Sequence, residues 1–210
     1  MGTRKNQRKP SVRKEIARIL ILCEGQLTEP QYLHALRISL RIPEQNMKVL
    51  CPPTISNTPR EMVKQAKLRK RDRLDAFDQV WCVFDVEYGA DQPARYGLDE
   101  AIDNARRNQI ATAVSNPCFE FWLLIHQEVV SAPLSRDQAC RRCSELRVIS
   151  GKVLCNSKEL IAKSNQAKQH AQELEMKHIR EGKERPEDMI PSSGMYKLID
   201  AIHAAFPPRV

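Results

Sequence analysis

The sequence lacks any apolar run long enough to cross a membrane. Its longest hydrophobic stretches are far shorter than the ~18 residues expected of a membrane span, so we expect a soluble protein without a membrane partner. The N-terminus has no apolar core after its basic residues, which predicts no secretory leader and a cytoplasmic location. No internal repeat is visible, and 210 residues suffice for one ordinary domain, alone or with an appendage.

The seven cysteines are an odd number in a chain without a predicted leader, which favours reduced thiols over disulfide bonds. Cys23, Cys82 and Cys118 lie in or beside the most apolar segments, where a free cysteine behaves as a small hydrophobic residue. Cys140 and Cys143 form one C-x-x-C pattern in a helix-like segment. A structural zinc site normally needs a second pair of ligands at similar spacing, so we interpret this pair as reduced thiols and zinc as the weaker alternative.

Basic residues outnumber acidic ones, 34 to 26, and the net charge of +8 favours a polyanionic partner such as nucleic acid. Residues 1–16 are predicted to be a flexible basic tail, either simply solvated or in contact with phosphates. A helix predicted over residues 59–74 presents a second basic surface. On it, Lys64 and Arg71 are candidate substrate-binding residues that would hold phosphates, and a solvated helix face is the alternative.

Two predicted strands are each followed by acidic residues. The apolar run at residues 19–23 predicts a strand buried on both faces, and Glu24 comes directly after it. The run at 79–84 predicts another such strand, which delivers Asp85 and Glu87 to one side because side chains alternate along an extended chain. The fold class is therefore α/β, with a mainly parallel sheet flanked by helices; its other elements are strands 47–51 and 110–114 and helices 29–41, 59–74 and 97–108.

The rest of the chain is predicted to be mainly helical. Residues 118–126 predict a buried helix, in which a charged Glu120 is costly unless it is paired, hydrogen-bonded or bound to a cation. His126 is interpreted as a histidine of the core or its rim. We predict an α/β core at residues 17–130 and a helical extension at residues 131–210 packed on it. Within the extension we expect helices without a further strand at 135–180, a loop at 181–194 and a last helix at 194–205.

Acidic side chains at the carboxyl ends of adjacent parallel strands meet at the edge of the sheet where α/β proteins hold ligands. Glu24, Asp85 and Glu87 would offer hard oxygen ligands suited to Mg²⁺. Such an ion polarises a phosphodiester, activates a bound water and stabilises charge on the leaving oxygen. The pattern therefore predicts a metal site over which the basic surface would hold a polyanion.

Several segments resemble the RloB-like family: ILILCEGQLTEPQYL, VWCVFDVEYGAD, ATAVSNPCFEFWLLIH and, more loosely, NQAKQHAQEL and PSSGMYKLIDAI. The resemblance covers most of the chain from about residue 17, and its most specific part combines C-E-G-x-x-T-E with S-N-P-x-F-E-x-W. Proteins of this family are found with restriction and phage-defence loci, commonly beside an ATPase. The family is similar to Toprim proteins, so the resemblance implies a compact Toprim-like domain that uses Mg²⁺ or Mn²⁺.

The resemblance also implies roles for the strand-end acids. Glu24 matches the Toprim glutamate, Asp85 matches the first aspartate of the D-x-D pattern, and Glu87 stands where the second aspartate usually lies. Glutamate keeps the carboxylate but reaches about one methylene further, which changes the metal geometry without changing the charge. Carried over, all three are metal ligands, and Glu24 is metal ligand or general base.

Three further residues follow from the same resemblance. Asn116 and Glu120 belong to the S-N-P-x-F-E pattern, which implies that Glu120 binds metal or orients a group of the site and that Asn116 contacts substrate. Lys152 is a loose counterpart of the family's lysine after the His126 segment and is a candidate substrate-binding residue.

The leading hypothesis is a Toprim-like, Mg²⁺-dependent nuclease that cleaves RNA or DNA in anti-phage defence, together with an ATPase partner. The alternative is a non-catalytic subunit that docks on such an ATPase or senses a phage product through the same surfaces. A phosphotransfer or hydrolytic enzyme acting on a small nucleotide would use the same carboxylates. A homo-oligomer is left open.

Overall fold

The computed structural model describes residues 16–52, 58–86 and 97–207. Its strands, in chain order, are β1 (Ile19–Cys23), β2 (Met47–Leu50), β3 (Gln79–Asp85), β4 (Ala111–Asn116), β5 (Ile149–Ser150), β6 (Val153–Leu154) and β7 (Ser192–Ser193). Five of them form one sheet in the spatial order β2-β1-β3-β4-β7, in which the first four run parallel and β7 is antiparallel to β4. The predicted α/β class with a mainly parallel sheet is confirmed.

Eight α-helices occur in the described part of the chain: α1 (Thr28–Ser39), α2 (Pro59–Arg71), α3 (Leu98–Arg107), α4 (Phe119–Leu124), α5 (Arg136–Glu145), α6 (Ser157–Ala162), α7 (Ser164–Arg180) and α8 (Met195–Ala205). A short 3₁₀ helix spans Pro186–Asp188. Within the described ranges, each of these helices is too short or too polar to cross a membrane.

The two faces of the sheet are covered by different helices, and β1 shows why its sequence is apolar throughout. Ile19 and Ile21 pack on one face with α1, α4, α5, α7 and α8, whereas Leu20 and Leu22 pack on the other with α2 and α3. Because successive side chains of a strand point to opposite faces, a strand covered on both sides must be hydrophobic at every position. All five residues of β1 are buried.

The core beside α1 contains an aromatic group around His126, which is 0% exposed. The imidazole bonds through Nδ1 to the carbonyl of Trp122 at 2.8 Å and through Nε2 to the hydroxyl of Tyr32 at 3.1 Å. Burial lowers the pKa of His126 to about 4, so the ring is neutral near pH 7. Its interpretation as a core histidine is confirmed.

The prediction that residues 135–180 contain no strand is wrong. Ile149 pairs with Leu154 and Ser150 with Val153 in an antiparallel hairpin, closed by a turn in which Gly151 has a φ of +62°. A positive φ of this kind favours glycine. Strands of two residues are too short for an alternating pattern, so the sequence offered no periodicity by which to predict them.

The prediction of a loop at residues 181–194 is also wrong in part, because this segment contains the 3₁₀ helix and β7. The two serines of β7 have low hydrophobicity, and their pairing depends on β4: Ser193 is opposite Ser115, and their hydroxyls hydrogen-bond at 3.0 Å. The division into 17–130 and 131–210 stays a prediction, although β7 places part of the second segment in the central sheet. Of the predicted basic tail, residues 1–15 lie outside the described residues.

Leu36 and Ile38 of α1 provide a test of the core, because Leu36 is fully buried and Ile38 is 68% exposed. We expect Leu36→Ala to lower the free energy of unfolding by about 2–5 kcal/mol, since it leaves a cavity between α1 and the sheet. Ile38→Ala is the matched control and should change it by less than about 0.5 kcal/mol. Urea denaturation of both variants measures the difference, and equal losses would contradict this packing.

Candidate active site

Glu24 and Asp85 lie at the carboxyl ends of neighbouring parallel strands. The Glu24 backbone N–H donates to the carbonyl of Val83 at 3.2 Å, which extends the pairing of β1 with β3 by one residue. The Glu24 side chain then accepts a hydrogen bond from the backbone N–H of Asp85 through Oε2, at 3.1 Å. The parallel register therefore joins two acids that are far apart in the chain.

Glu29 adds a third carboxylate from the first turn of α1, and it is only 5% exposed. Its Oε1 accepts a hydrogen bond from the backbone N–H of Gly25 at 3.0 Å. A Cβ atom on Gly25 would lie 1.9 Å from a carboxylate oxygen of Glu29. Glycine at this position is thus what allows the Glu29 carboxylate to lie against the loop after β1.

Glu120 supplies a fourth carboxylate from the first turn of α4, with 9% of its surface exposed. The Thr28 hydroxyl donates to Glu120 Oε1 at 3.5 Å, so the starts of α1 and α4 meet at this carboxylate. We call Glu24, Glu29, Asp85 and Glu120 the acidic cluster.

The electrostatic effect of the acidic cluster is concentrated on Asp85. Its Oδ1 is buried and finds no hydrogen-bond partner among the described residues. Burial, followed by the charges of Glu29, Glu120 and Glu24, raises the pKa of Asp85 well above its usual range, and the charge of Arg136 opposes this. Burial also raises the pKa of Glu29, again with Arg136 in opposition.

The donor chemistry of the acidic cluster fits a hard divalent cation. Carboxylate oxygens are the ligands that Mg²⁺ and Mn²⁺ prefer, and the buried Oδ1 of Asp85, which accepts no hydrogen bond from a described residue, could bind such a cation. A cation would also offset the like charges that raise the pKa of Asp85. The residues that could hold it are Glu24, Glu29, Asp85 and Glu120.

Of the site residues predicted from sequence, the structure brings Glu24, Asp85 and Glu120 together. Glu87 lies outside the described residues. Lys152 lies in the exposed turn between β5 and β6, and its backbone carbonyl accepts a hydrogen bond from the Gln31 side chain of α1 at 3.3 Å.

Asn116 ends β4 and is fully buried. Its side-chain amide donates to the backbone carbonyls of Pro186 and Glu187, at 3.2 and 3.0 Å. Its Oδ1 is buried and has no partner in the described ranges. The side chain therefore anchors the 3₁₀ helix to the sheet, and any contact of Asn116 with substrate stays a prediction.

The two candidate phosphate-binding residues of α2, Lys64 and Arg71, have different surroundings. Lys64 is exposed and pairs with Glu61 at 3.3 Å. Arg71 ends α2, where the neighbouring Lys70 donates to two backbone carbonyls just before β4, at 2.9 and 2.6 Å. This contact places Arg71 at the amino-terminal edge of the sheet, opposite the edge that carries Glu24 and Asp85.

Sequence reasoning missed Glu29 and Arg136 as members of the site. An acidic residue in the first turn of a helix is favoured by the helix dipole alone, so Glu29 after Thr28 was sufficiently explained as a helix start. The C-E-G-x-x-T-E pattern, which contains both Glu24 and Glu29, was the feature that could have identified it. Arg136 begins α5 and had no distinguishing pattern.

Comparison with known proteins finds one match over most of the chain. A family model described as RloB-like protein matches residues 19–202. Searches of curated proteins and of solved structures found no match.

The raised pKa of Asp85 predicts how stability depends on pH in the absence of divalent cations. Between the ordinary aspartate pKa of about 3.9 and the raised value, the folded state binds more protons than the unfolded state, so stability falls as pH rises. We expect Asp85→Asn to unfold at higher urea concentration than wild type at pH 8 in EDTA. The gain should shrink towards pH 4, where the wild-type carboxyl is protonated.

Asp103→Asn, in an exposed position of α3, is the control and should leave the pH dependence unchanged. Part of the slope should persist in Asp85→Asn, because the pKa of Glu29 is raised as well. Identical pH profiles for wild type and Asp85→Asn would contradict the electrostatic description of the acidic cluster.

Proposed function

This chain belongs to the RloB-like family, and we propose that it is a Toprim-like, Mg²⁺-dependent nuclease that cleaves RNA or DNA in anti-phage defence. We include in the proposal an ATPase partner, as the family resemblance implies, and a cytoplasmic location, which the odd number of cysteines favours. The observation that carries the proposal is the convergence of four carboxylates, Glu24, Glu29, Asp85 and Glu120, at the carboxyl edge of the sheet.

Each acidic residue has a part in this proposal that follows from its contacts. Mg²⁺, when bound, would polarise the phosphodiester and lower the pKa of a water. Asp85 would be the main ligand, because its Oδ1 lacks a donor among the described residues. Glu24 orients the end of β3 through the Asp85 N–H and would serve as ligand or general base. Glu29 and Glu120 would hold the negative potential that favours a cation.

The charge distribution supports a polyanionic substrate. The chain carries a net charge of +8 although the acidic cluster is locally negative, so basic residues dominate elsewhere. Arg136 is close enough to the acidic cluster to affect the pKa values of Asp85 and Glu29. A chain with this excess of positive charge would attract a nucleic acid at long range, with a strong dependence on salt.

Glu24→Gln and Asp85→Asn test the proposal directly. Each removes one carboxylate charge with little change in volume, and we expect a loss of about 100-fold or more in metal-dependent cleavage. Cleavage is measured on tRNA, single-stranded DNA and duplex DNA with Mg²⁺ or Mn²⁺, with and without a candidate ATPase partner. Glu100→Gln, at an exposed position of α3, is the matched control and should cleave like wild type.

Thermal unfolding with Mg²⁺ or Mn²⁺ tests metal binding separately from cleavage. We expect the cation to raise the Tm of wild type and of Glu100→Gln, but not of Asp85→Asn. A Tm increase without cleavage of any substrate would favour the non-catalytic alternative, whereas turnover of mononucleotides alone would favour a small-nucleotide enzyme. Full nuclease activity in Glu24→Gln would contradict the proposed role of the acidic cluster.

A further inference from the structure

A second group of metal-binding side chains lies where α4 meets α5. Cys118 precedes α4, Glu120 lies in its first turn, and Cys140 comes from α5. One ligand atom from each, the two Sγ atoms and a carboxylate oxygen, all lie within 4.8 Å of one another. We propose that Cys118, Glu120 and Cys140 form a site for a thiophilic divalent cation, with Zn²⁺ as the preferred ion.

The spacing of the three donors is close to what zinc requires. Zinc binds sulfur at about 2.3 Å and carboxylate oxygen at about 2.1 Å, so tetrahedral ligands lie about 3.6 to 3.8 Å apart. Donors within 4.8 Å reach that separation by small side-chain rotations. Cys118 is fully buried and Cys140 is half-buried, so a bound ion would lie near the surface on the Cys140 side.

The contacts of these side chains hold the two segments in place. Cys143, one turn after Cys140 in α5, donates from its Sγ to the backbone carbonyl of Glu120 at 3.2 Å, which joins α5 to the first turn of α4. A metal ion binds cysteine as the thiolate, so its binding to Cys118 and Cys140 would release protons.

Ligand chemistry distinguishes this site from the acidic cluster, although Glu120 is common to both. Thiolates select zinc and related soft or borderline metals, whereas Mg²⁺ requires oxygen. The isolated C-x-x-C pattern lacked further ligands for a metal. The fold supplies them, because Cys118 and Glu120 lie beside Cys140 and no second C-x-x-C pair is needed. The inference does not depend on the proposed nuclease activity, since zinc binding is measured without substrate.

Zinc binding is tested on the full chain, reduced with a phosphine, freed of metal by chelation and checked for seven titratable thiols. We expect one equivalent of Zn²⁺ in competition with a chromogenic chelator, and a Co²⁺ complex with an intense sulfur-to-cobalt charge-transfer band. Cys140→Ser should weaken Zn²⁺ binding at least 100-fold and remove much of that band. Cys155→Ser, a half-buried cysteine outside the site, is the control and should bind like wild type.

Cys140 is preferred to the fully buried Cys118 because its replacement is less disruptive, and the metal-free Tm of Cys140→Ser verifies the fold. Glu120→Gln provides a second variant that leaves both thiols in place and should weaken Zn²⁺ binding while retaining the charge-transfer band. The proposal is overturned if the fully reduced protein does not retain Zn²⁺, if Cys140→Ser binds it like wild type, or if Co²⁺ binds without the sulfur band. Zn²⁺ retention and the sulfur band of wild type and Cys140→Ser are measured without substrate, so their failure is distinguishable from a failure of Mg²⁺-dependent cleavage.

Discussion

The repulsion between carboxylates at one edge of the sheet is the constraint on which the candidate site depends. A parallel sheet brings the ends of β1 and β3 side by side, so Glu24 and Asp85 become neighbours as a consequence of strand pairing. Asp85 is then partly withdrawn from water among like charges, which the fold alone does not neutralise. Arg136 opposes this effect, yet the pKa of Asp85 remains raised. An unfavourable arrangement of this kind is characteristic of functional sites, where local stability is given up for binding or chemistry.

The helices that carry the other two carboxylates hold the geometry of the site. Glu29 lies in the first turn of α1, where the helix dipole favours negative charge, and the N–H of Gly25 donates to it. The hydroxyl of Thr28 reaches Glu120 at the start of α4, so the two helix starts are joined through the site. Behind them, His126, just after α4, bonds to the carbonyl of Trp122 in α4 and to the hydroxyl of Tyr32 in α1, and so connects the two helices in the core. The site is therefore supported by regular elements, whose positions are determined by hydrophobic packing.

The four parallel strands were predictable because buried strands give continuous apolar runs. All four lie within a residue or two of their predicted bounds. Glu24 and Asp85 were predictable as neighbours because strand ends are defined by the same runs. Elements without a periodic pattern were not: β7 consists of two serines whose pairing depends on β4. Glu29 was missed for a different reason: an acidic residue is common in the first turn of a helix, so its position alone did not indicate a site. The contact between Cys118 and Cys140 depends on how α4 packs against α5, which no local pattern encodes.

Under the proposed function, the position of Arg71 affects how metal and substrate would bind at the acidic cluster. Arg71 lies at the opposite edge of the sheet, so it cannot neutralise a phosphate placed against Asp85. Without a cation the four carboxylates would repel that phosphate, and burial of Asp85 would strengthen the repulsion by lowering the local dielectric. With a cation the sign of the local field is reversed. Metal and nucleic acid should therefore bind cooperatively, and because such coupling is reciprocal, the polyanion must increase the affinity for the metal by the same factor. The charges that make the metal-free site unfavourable near neutral pH are then the ones that make substrate binding depend on the metal.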